Sequence, residues 1–283
     1  MNNHRRRTRL AAALVAGTAA LSLTACANYA SAPTTTAAGG ATETAGADAG
    51  VQLVSPGHLT VCTHLSYKPF EFTEGNEVVG FDMDLMDLVA EELGVTREVI
   101  DIDFGQITSG AVFTAQRCDV GAAAITINDE RAAATGFSEG YFSATQALLV
   151  SADSSVTGLE DLRGQVVGAQ TDTTGKSYVE EHAAEFGYEV RIFEDMPTSA
   201  NAVLAGTVAA AVNDNGVFYD FARENPTTKV ATEFQTGEDY GFNYALDNEA
   251  LGEVIDQVLT EAREDGRFND IYRSWFGVDA PAS

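Results

Sequence analysis

Apolar and polar positions change their period repeatedly along the chain, and each change marks an element. LTVCT at 59–63 is a short apolar run, a strand, followed by SYKPFEF and a turn at 74–76. From there Phe81, Leu85, Leu88, Val89 and Leu93 recur at helical spacing, one face of a helix that Gly94 ends. REVIDIDF (97–104) reads as a second strand, VFTAQRC (112–118) as the end of a helix and DVGAAAI (119–125) as a third strand. Strands alternating with helices predict a parallel sheet.

The alternation then starts again. ALLVS (147–151) is a strand, GLEDLRG (158–164) a short helix, and QVVGAQ (165–170) a strand leading into a helical stretch over 171–187. YEVRIF (188–193) is a strand, TSANAVLAG (198–206) a helix with a glycine stop, and TVAAAVND (207–214) a strand again. Residues 250–277 are helical, with Leu251, Ile255, Val258 and Leu259 along one face. The pattern predicts two α/β units and a helical tail that packs on one of them. In open parallel sheets, ligands bind beyond the carboxyl ends of the strands. Residues 64–70, 126–131, 170–174 and 213–215 occupy such ends. Facing each other, they offer an arginine, an acid, several hydroxyls and aromatic faces, a set that suits a zwitterion.

The N-terminus changes the picture. Residues 1–25 pair a basic start with an apolar stretch too short for an ordinary spanning helix. LTAC at 23–26 looks like a bacterial lipobox, so Cys26 is the expected lipidation site and 1–25 the signal peptide. The alternatives are an ordinary secretory signal cut nearby, or a cytosolic chain with an odd start. Residues 26–50 are rich in Ala, Thr and Gly and read as a flexible tether. The expected location is the extracytoplasmic face of the cell membrane, held by a lipid anchor. Without the leader's four arginines, 12 Lys and Arg face 42 Asp and Glu. Such a surface repels phosphate backbones, which argues against nucleic acid as a partner. Cys62 and Cys118 remain; outside the cytoplasm an even pair favours a disulfide, with two inert buried thiols as the alternative. No CxxC or His/Cys cluster suggests a metal, and nothing calls for a cofactor.

Five stretches carry a resemblance: LTVCTHLSYKPFEF with VVGFDMDLMDLVAEELG, RCDVGAAAITINDERAAATGFSEGYF, LEDLRGQVVGAQTDTTG, AGTVAAAVND, and EDGRFNDIYRSWFG. In this order they resemble the amino-acid-type (family 3) solute-binding proteins of ABC importers, over nearly all of 57–277. The resemblance implies a periplasmic-binding-protein-like α/β fold. Two lobes, each a mostly parallel sheet flanked by helices, are joined by two crossover strands expected near 143–150 and 232–244. Lobe 1 is expected over 51–145 plus 241–283, and lobe 2 over 146–240. The implied protein is a monomer without catalytic residues that closes on an amino acid and delivers it to a membrane permease.

The resemblance also implies roles. Arg131 falls where the family's arginine pairs with the ligand α-carboxylate, for which a planar guanidinium is suited as lysine is not. Thr126 falls where a hydroxyl and a main-chain N–H assist, and Ala124 offers its carbonyl. Thr173 and Thr174 match the turn that donates to the same carboxylate, Asp214 the acid that receives the α-ammonium. Tyr67, Phe81 and Phe104 are candidates for apolar and cation–π walls, and Gln170 faces the side-chain pocket. Structural roles compete: Arg131 pairing with Asp129 or Glu130, Asp214 or a threonine capping a helix, Phe81 following its helix's apolar stripe into the core. The chain departs from the family at Asp172, where glycine is usual, and at His64, where binders of cationic amino acids have an acid. Those departures predict a rearranged turn unless the Asp172 carboxylate turns away, and a polar neutral or acidic ligand rather than lysine or arginine. His64 either meets that side chain or is structural. The rival functions are an exported enzyme on the same fold, such as a cyclohexadienyl dehydratase with His64 as acid or base, and a ligand-sensing protein.

Overall fold

The computed structural model describes residues 50–281. Residues 1–49, with the expected signal peptide, lipidation site Cys26 and tether, lie outside the described residues. The first stretch runs β1 (His58–Thr63), β2 (Phe72–Glu74), β3 (Glu77–Val79), α1 (Phe81–Glu92), β4 (Thr96–Asp101), α2 (Phe104–Thr108), α3 (Ala111–Thr114), β5 (Val120–Gly121), α4 (Asp129–Ala132) and β6 (Gly136–Phe137). The second runs β7 (Phe142–Ser151), β8 (Val166–Gln170), α5 (Thr174–Phe186), β9 (Glu189–Phe193), α6 (Met196–Leu204), β10 (Ala210–Asp214), α7 (Asn215–Glu224) and β11 (Thr228–Tyr240). The chain then returns through β12 (Asn243–Tyr244) to α8 (Glu249–Asp265) and α9 (Arg267–Phe276).

Two five-stranded sheets result, ordered β4-β1-β5-β12-β6 and β11-β7-β10-β8-β9. Parallel pairing joins β1 to β4 and β5, and β8 to β9 and β10. The returning strands are antiparallel: β12 to both its neighbours, and β7 to β10 and β11. The alternation of strands and helices predicts the parallel pairs. It misses the antiparallel ones, because crossover strands carry no signature of direction. Segment 119–125, read as a strand of seven residues, pairs only over Val120–Gly121 before leaving the sheet.

The chain crosses between sheets twice, from β6 into β7 and from β11 into β12, and the two crossing strands pair with each other, Phe142 opposite Tyr240 and Ser151 opposite Thr228. Their pairing is interrupted between Phe234 and Glu238, where Gly237 takes a positive φ of 66° and re-aims the residue that follows. At the crossing, the Ile127 amide donates to Asp239 O (2.8 Å) and the Gly241 amide to Ile125 O (3.0 Å). The end of β5's segment is thereby laced to the end of β11.

The helical tail packs on α1. Phe81, Leu85, Val89 and Leu93 are buried as their spacing predicts, and Leu88 is half-buried against the same core. Phe81 sits edge-on to Phe268, Tyr272 and Phe276, at centroid distances of 5.7, 5.6 and 5.2 Å. Gly80 precedes this helix at φ 139°, where any Cβ would lie 2.0 Å from Phe70 O. Cys62 and Cys118 are joined by a disulfide, Cα atoms 5.8 Å apart, tying β1 to the chain just ahead of β5.

Candidate functional site

The ends of β1, β5, β8 and β10 converge on one pocket between the sheets. Its empty space, open solvent at the mouth included, is about 320 Å³. His64, Tyr67, Phe104, Ala124, Thr126, Arg131, Gln170, Thr173, Thr174 and Asp214 line it, together with Glu71 and Ala123. Of the side chains singled out from sequence, Phe81 alone is elsewhere: it is wholly buried among aromatic rings and does not reach the pocket. Its period in α1 already pointed inward, and that packing wins.

Arg131 is 7 % exposed. Asn128 caps the short α4 by accepting from the Arg131 amide (2.9 Å), which turns the side chain into the cleft. One guanidinium nitrogen donates to Thr126 O (2.8 Å) and another reaches across the cleft to Asp172 O (3.0 Å), while the group lies 5.3 Å from the Phe104 centroid. It does not pair with Asp129 or Glu130. Burial lowers the Arg131 pKa, and the nearby charges of Asp214 and Glu238 oppose that shift. A guanidinium has five N–H donors, so several remain for an anion. Beside it, the first amides of α5 lack helical acceptors, as at any helix start.

Asp214 precedes α7 but does not cap it. Its carboxylate instead accepts from Tyr240, from Gln146 (2.5 Å) and, across the cleft, from the Tyr67 hydroxyl (3.0 Å). Burial first, and then the charge of Glu238, push its pKa up to about 6. Thr173 caps α5, accepting from the Lys176 amide (3.1 Å) and donating to Gln170 O (2.8 Å), so its hydroxyl is spent. Gln170 accepts from Asn213 (3.2 Å). Asp172 keeps the turn at a positive φ of 59°, a conformation Asp tolerates better than most residues, and its carboxylate turns away from the pocket toward Gly105.

Two acids were not read from the sequence. Glu71 is 1 % exposed, and neither carboxylate oxygen finds a partner among the described residues. Burial, then the charge of Asp82, raise its pKa well above the usual carboxylate range. In a strand reading of KPFEF, Glu71 belongs on the wet face; instead the loop folds back, Tyr67 and Glu71 exchanging backbone bonds of 2.7 and 3.2 Å, and the acid goes inside. A charge held between two phenylalanines was the available signal. Glu238 follows the irregularity in β11 and lies just behind the pocket wall. His64 Nδ1 is 2.9 Å from Ile102 O, which can only accept, so Nδ1 carries a proton. Its Nε2 is buried and unpartnered among the described residues.

A cleft between two sheets, laced by crossing strands and holding Arg131 together with Asp214, defines a two-lobed solute-binding protein. Residues 59–278 match the model of bacterial extracellular solute-binding proteins, family 3, and the chain belongs to that family. It is similar to the ABC transporter glutamine-binding protein GlnH of Bacillus subtilis (strain 168), 31 % identical over 72 % of this chain and 74 % of that protein. Among solved structures it resembles an ancestral arginine-binding protein bound to arginine, 35 % identical with a TM-score of 0.74, covering 78 % of this chain and 99 % of the other. It also resembles an ancestral amino acid-binding protein described as a precursor of cyclohexadienyl dehydratase, 28 % identical with a TM-score of 0.72, covering 78 % and 96 %. The curated relatives are transport binding proteins rather than enzymes. Among the described residues no helix is long and apolar enough to cross a membrane, and no cluster of potential ligands is suited to a metal ion.

Proposed function

We propose that the protein is a lipoprotein anchored through Cys26 that captures one amino acid in this pocket and delivers it, as a monomer, to an ABC permease. Lobe 1 comprises 51–145 with 241–283, lobe 2 comprises 146–240, and the lobes close on the ligand. Only a ligand that binds the closed form better than the open one drives such a change. Arg131 and the first amides of α5 take the α-carboxylate; Asp214 and the Ala124 carbonyl take the α-ammonium; Tyr67 and Phe104 form the walls.

The observation that carries the ligand class is three buried atoms of residues lining the pocket, both oxygens of Glu71 and Nε2 of His64, that have no partner among the described residues. A buried polar group without a partner is costly, so the side chain that belongs there is rich in donors. The absence of an acid at position 64 favoured a polar neutral or acidic ligand, but Glu71 supplies the missing acid from a neighbouring loop and disfavours a carboxylate. A cationic side chain of the arginine type fits first and a neutral amide second. Relatives named for arginine, histidine and glutamine lend support.

The test is thermal unfolding of the ligand-stripped protein against the twenty amino acids. A ligand at a hundred times its Kd adds about 2.7 kcal/mol of stability. Arginine should stabilise the wild type, Arg131→Ala should abolish every shift, and Glu71→Gln should weaken arginine more than glutamine. A wild type stabilised by glutamate and not by arginine overturns the assignment of class. No shift with any amino acid overturns the function.

A further inference from the structure

Thr126 and Thr174 look interchangeable as donors for a ligand carboxylate, yet their protons are already committed. Thr126, beside the laced end of β5's segment, donates its hydroxyl to Glu238 Oε2 (2.8 Å). Thr174, opening α5 on the other side of the cleft, donates to the same oxygen (2.6 Å). The other oxygen, Oε1, accepts from Gln146 (3.0 Å), whose amide also holds Asp214. Glu238 itself is 9 % exposed and does not line the pocket, whereas both threonines do. It stands on the crossing strand behind them, aimed by the irregularity at Gly237.

A hydroxyl has one proton and two lone pairs. A carboxylate can only accept, so each threonine points its proton backward at Glu238; Thr126 keeps its lone pairs for the pocket, while Thr174 also accepts from Gln146 (3.2 Å) and keeps one. Resting on the reading of the pocket as an amino-acid site, we propose that Glu238 is a positioning residue that fixes the polarity of Thr126 and Thr174. Both hydroxyls thereby serve the ligand's ammonium and neither serves its carboxylate.

The carboxylate is then left to Arg131 and the amides of α5, and the ammonium meets Asp214 together with oriented hydroxyl lone pairs. The same carboxylate gathers a hydroxyl from each side of the cleft, so the ammonium-accepting surface is assembled only when the two sides meet. The device selects α-amino acids over analogues that lack the amine. It does so without Glu238 touching the ligand.

Replacing Glu238 by Gln keeps the shape but offers an amide that can donate to a threonine, which frees that hydroxyl's proton to point into the pocket. The experiment compares L-arginine with its deamino analogue, δ-guanidinovaleric acid, and L-glutamine with glutaramic acid, by calorimetry on wild type, Glu238→Gln, Thr126→Val and Thr126→Ser. In the wild type the amino acid should bind far better than its analogue. Glu238→Gln and Thr126→Val should each narrow that preference by roughly ten-fold, the scale of one hydrogen bond to a charged group, while Thr126→Ser retains it. A purely structural role for Glu238 weakens both members of a pair equally, and an unchanged ratio in Glu238→Gln overturns the proposal. If no amino acid binds the wild type, the function itself fails and the proposal with it. If Glu238→Gln does not fold, the contrast between Thr126→Val and Thr126→Ser decides alone.

Discussion

Amino-acid binding by this protein should release protons, and their number should report the ligand's side chain. Burial and the charge of Glu238 hold Asp214 near a pKa of about 6 in the empty pocket. An ammonium beside it favours the ionised carboxylate and returns the pKa toward the ordinary carboxylate range. Binding below pH 6 therefore expels a proton, and affinity falls as pH falls. At about pH 5 roughly one empty site in eleven has Asp214 ionised, so Kd should rise about ten-fold relative to pH 7, or about 1.4 kcal/mol. Burial and the charge of Asp82 also raise the Glu71 pKa. A guanidinium beside it favours its ionised form as well, whereas a neutral amide does not. The limiting slope of log Kd with pH is therefore close to −1 for a neutral side chain and steeper for a cationic one. Titration calorimetry in two buffers of different ionisation heat, at about pH 5.5, counts the protons directly. Asp214→Asn should bind weakly and lose the contribution of that carboxyl. A Kd constant within about two-fold between pH 5 and 7, with no buffer dependence, would refute the assignment of Asp214 as the ammonium acceptor.

Two further outcomes separate the core from the site. Phe81→Ala empties a fully buried position among aromatic rings and should cost about 3–5 kcal/mol in a denaturant titration, with the Kd of the folded fraction unchanged; a lost site would place Phe81 in the pocket after all. The disulfide closes a loop of 56 residues in sequence, so the chain-entropy model gives it about 4 kcal/mol. Reduction should lower Tm by roughly 10 °C; an unmoved Tm, with both thiols shown to be free, counts against that model here.

The order of elements was legible in the sequence because their boundaries are written locally. Glycine stops, helix caps and the change of period from strand to helix located α1, β8, α5, α6 and α8 to within a few residues. Strand direction was not, since β7 and β11 carry the same apolar alternation whichever way they run. The pocket was half legible. Arg131, Asp214 and Tyr67 lie at strand ends or turns, where local pattern and resemblance agree, and the structure brings them together. Glu71 escaped because its inward direction depends on a loop folding back on itself, and Glu238 because a bulge re-aims it; neither event has a period.

The sequence by itself determined two α/β units, their element order and a cleft whose ends hold one cation and one acid. Tertiary structure alone decided what those groups face. It brought Glu71 into the pocket lining and left its oxygens without partners among the described residues. It set Phe81 among the aromatic rings of the tail, and made one carboxylate, Glu238, dictate the direction of hydroxyls on both sides of the cleft. The physical reason is that propensity and capping act between residues a few positions apart, whereas the polarity of a buried hydrogen bond is fixed by whatever the fold carries to it from 112 and 64 residues away.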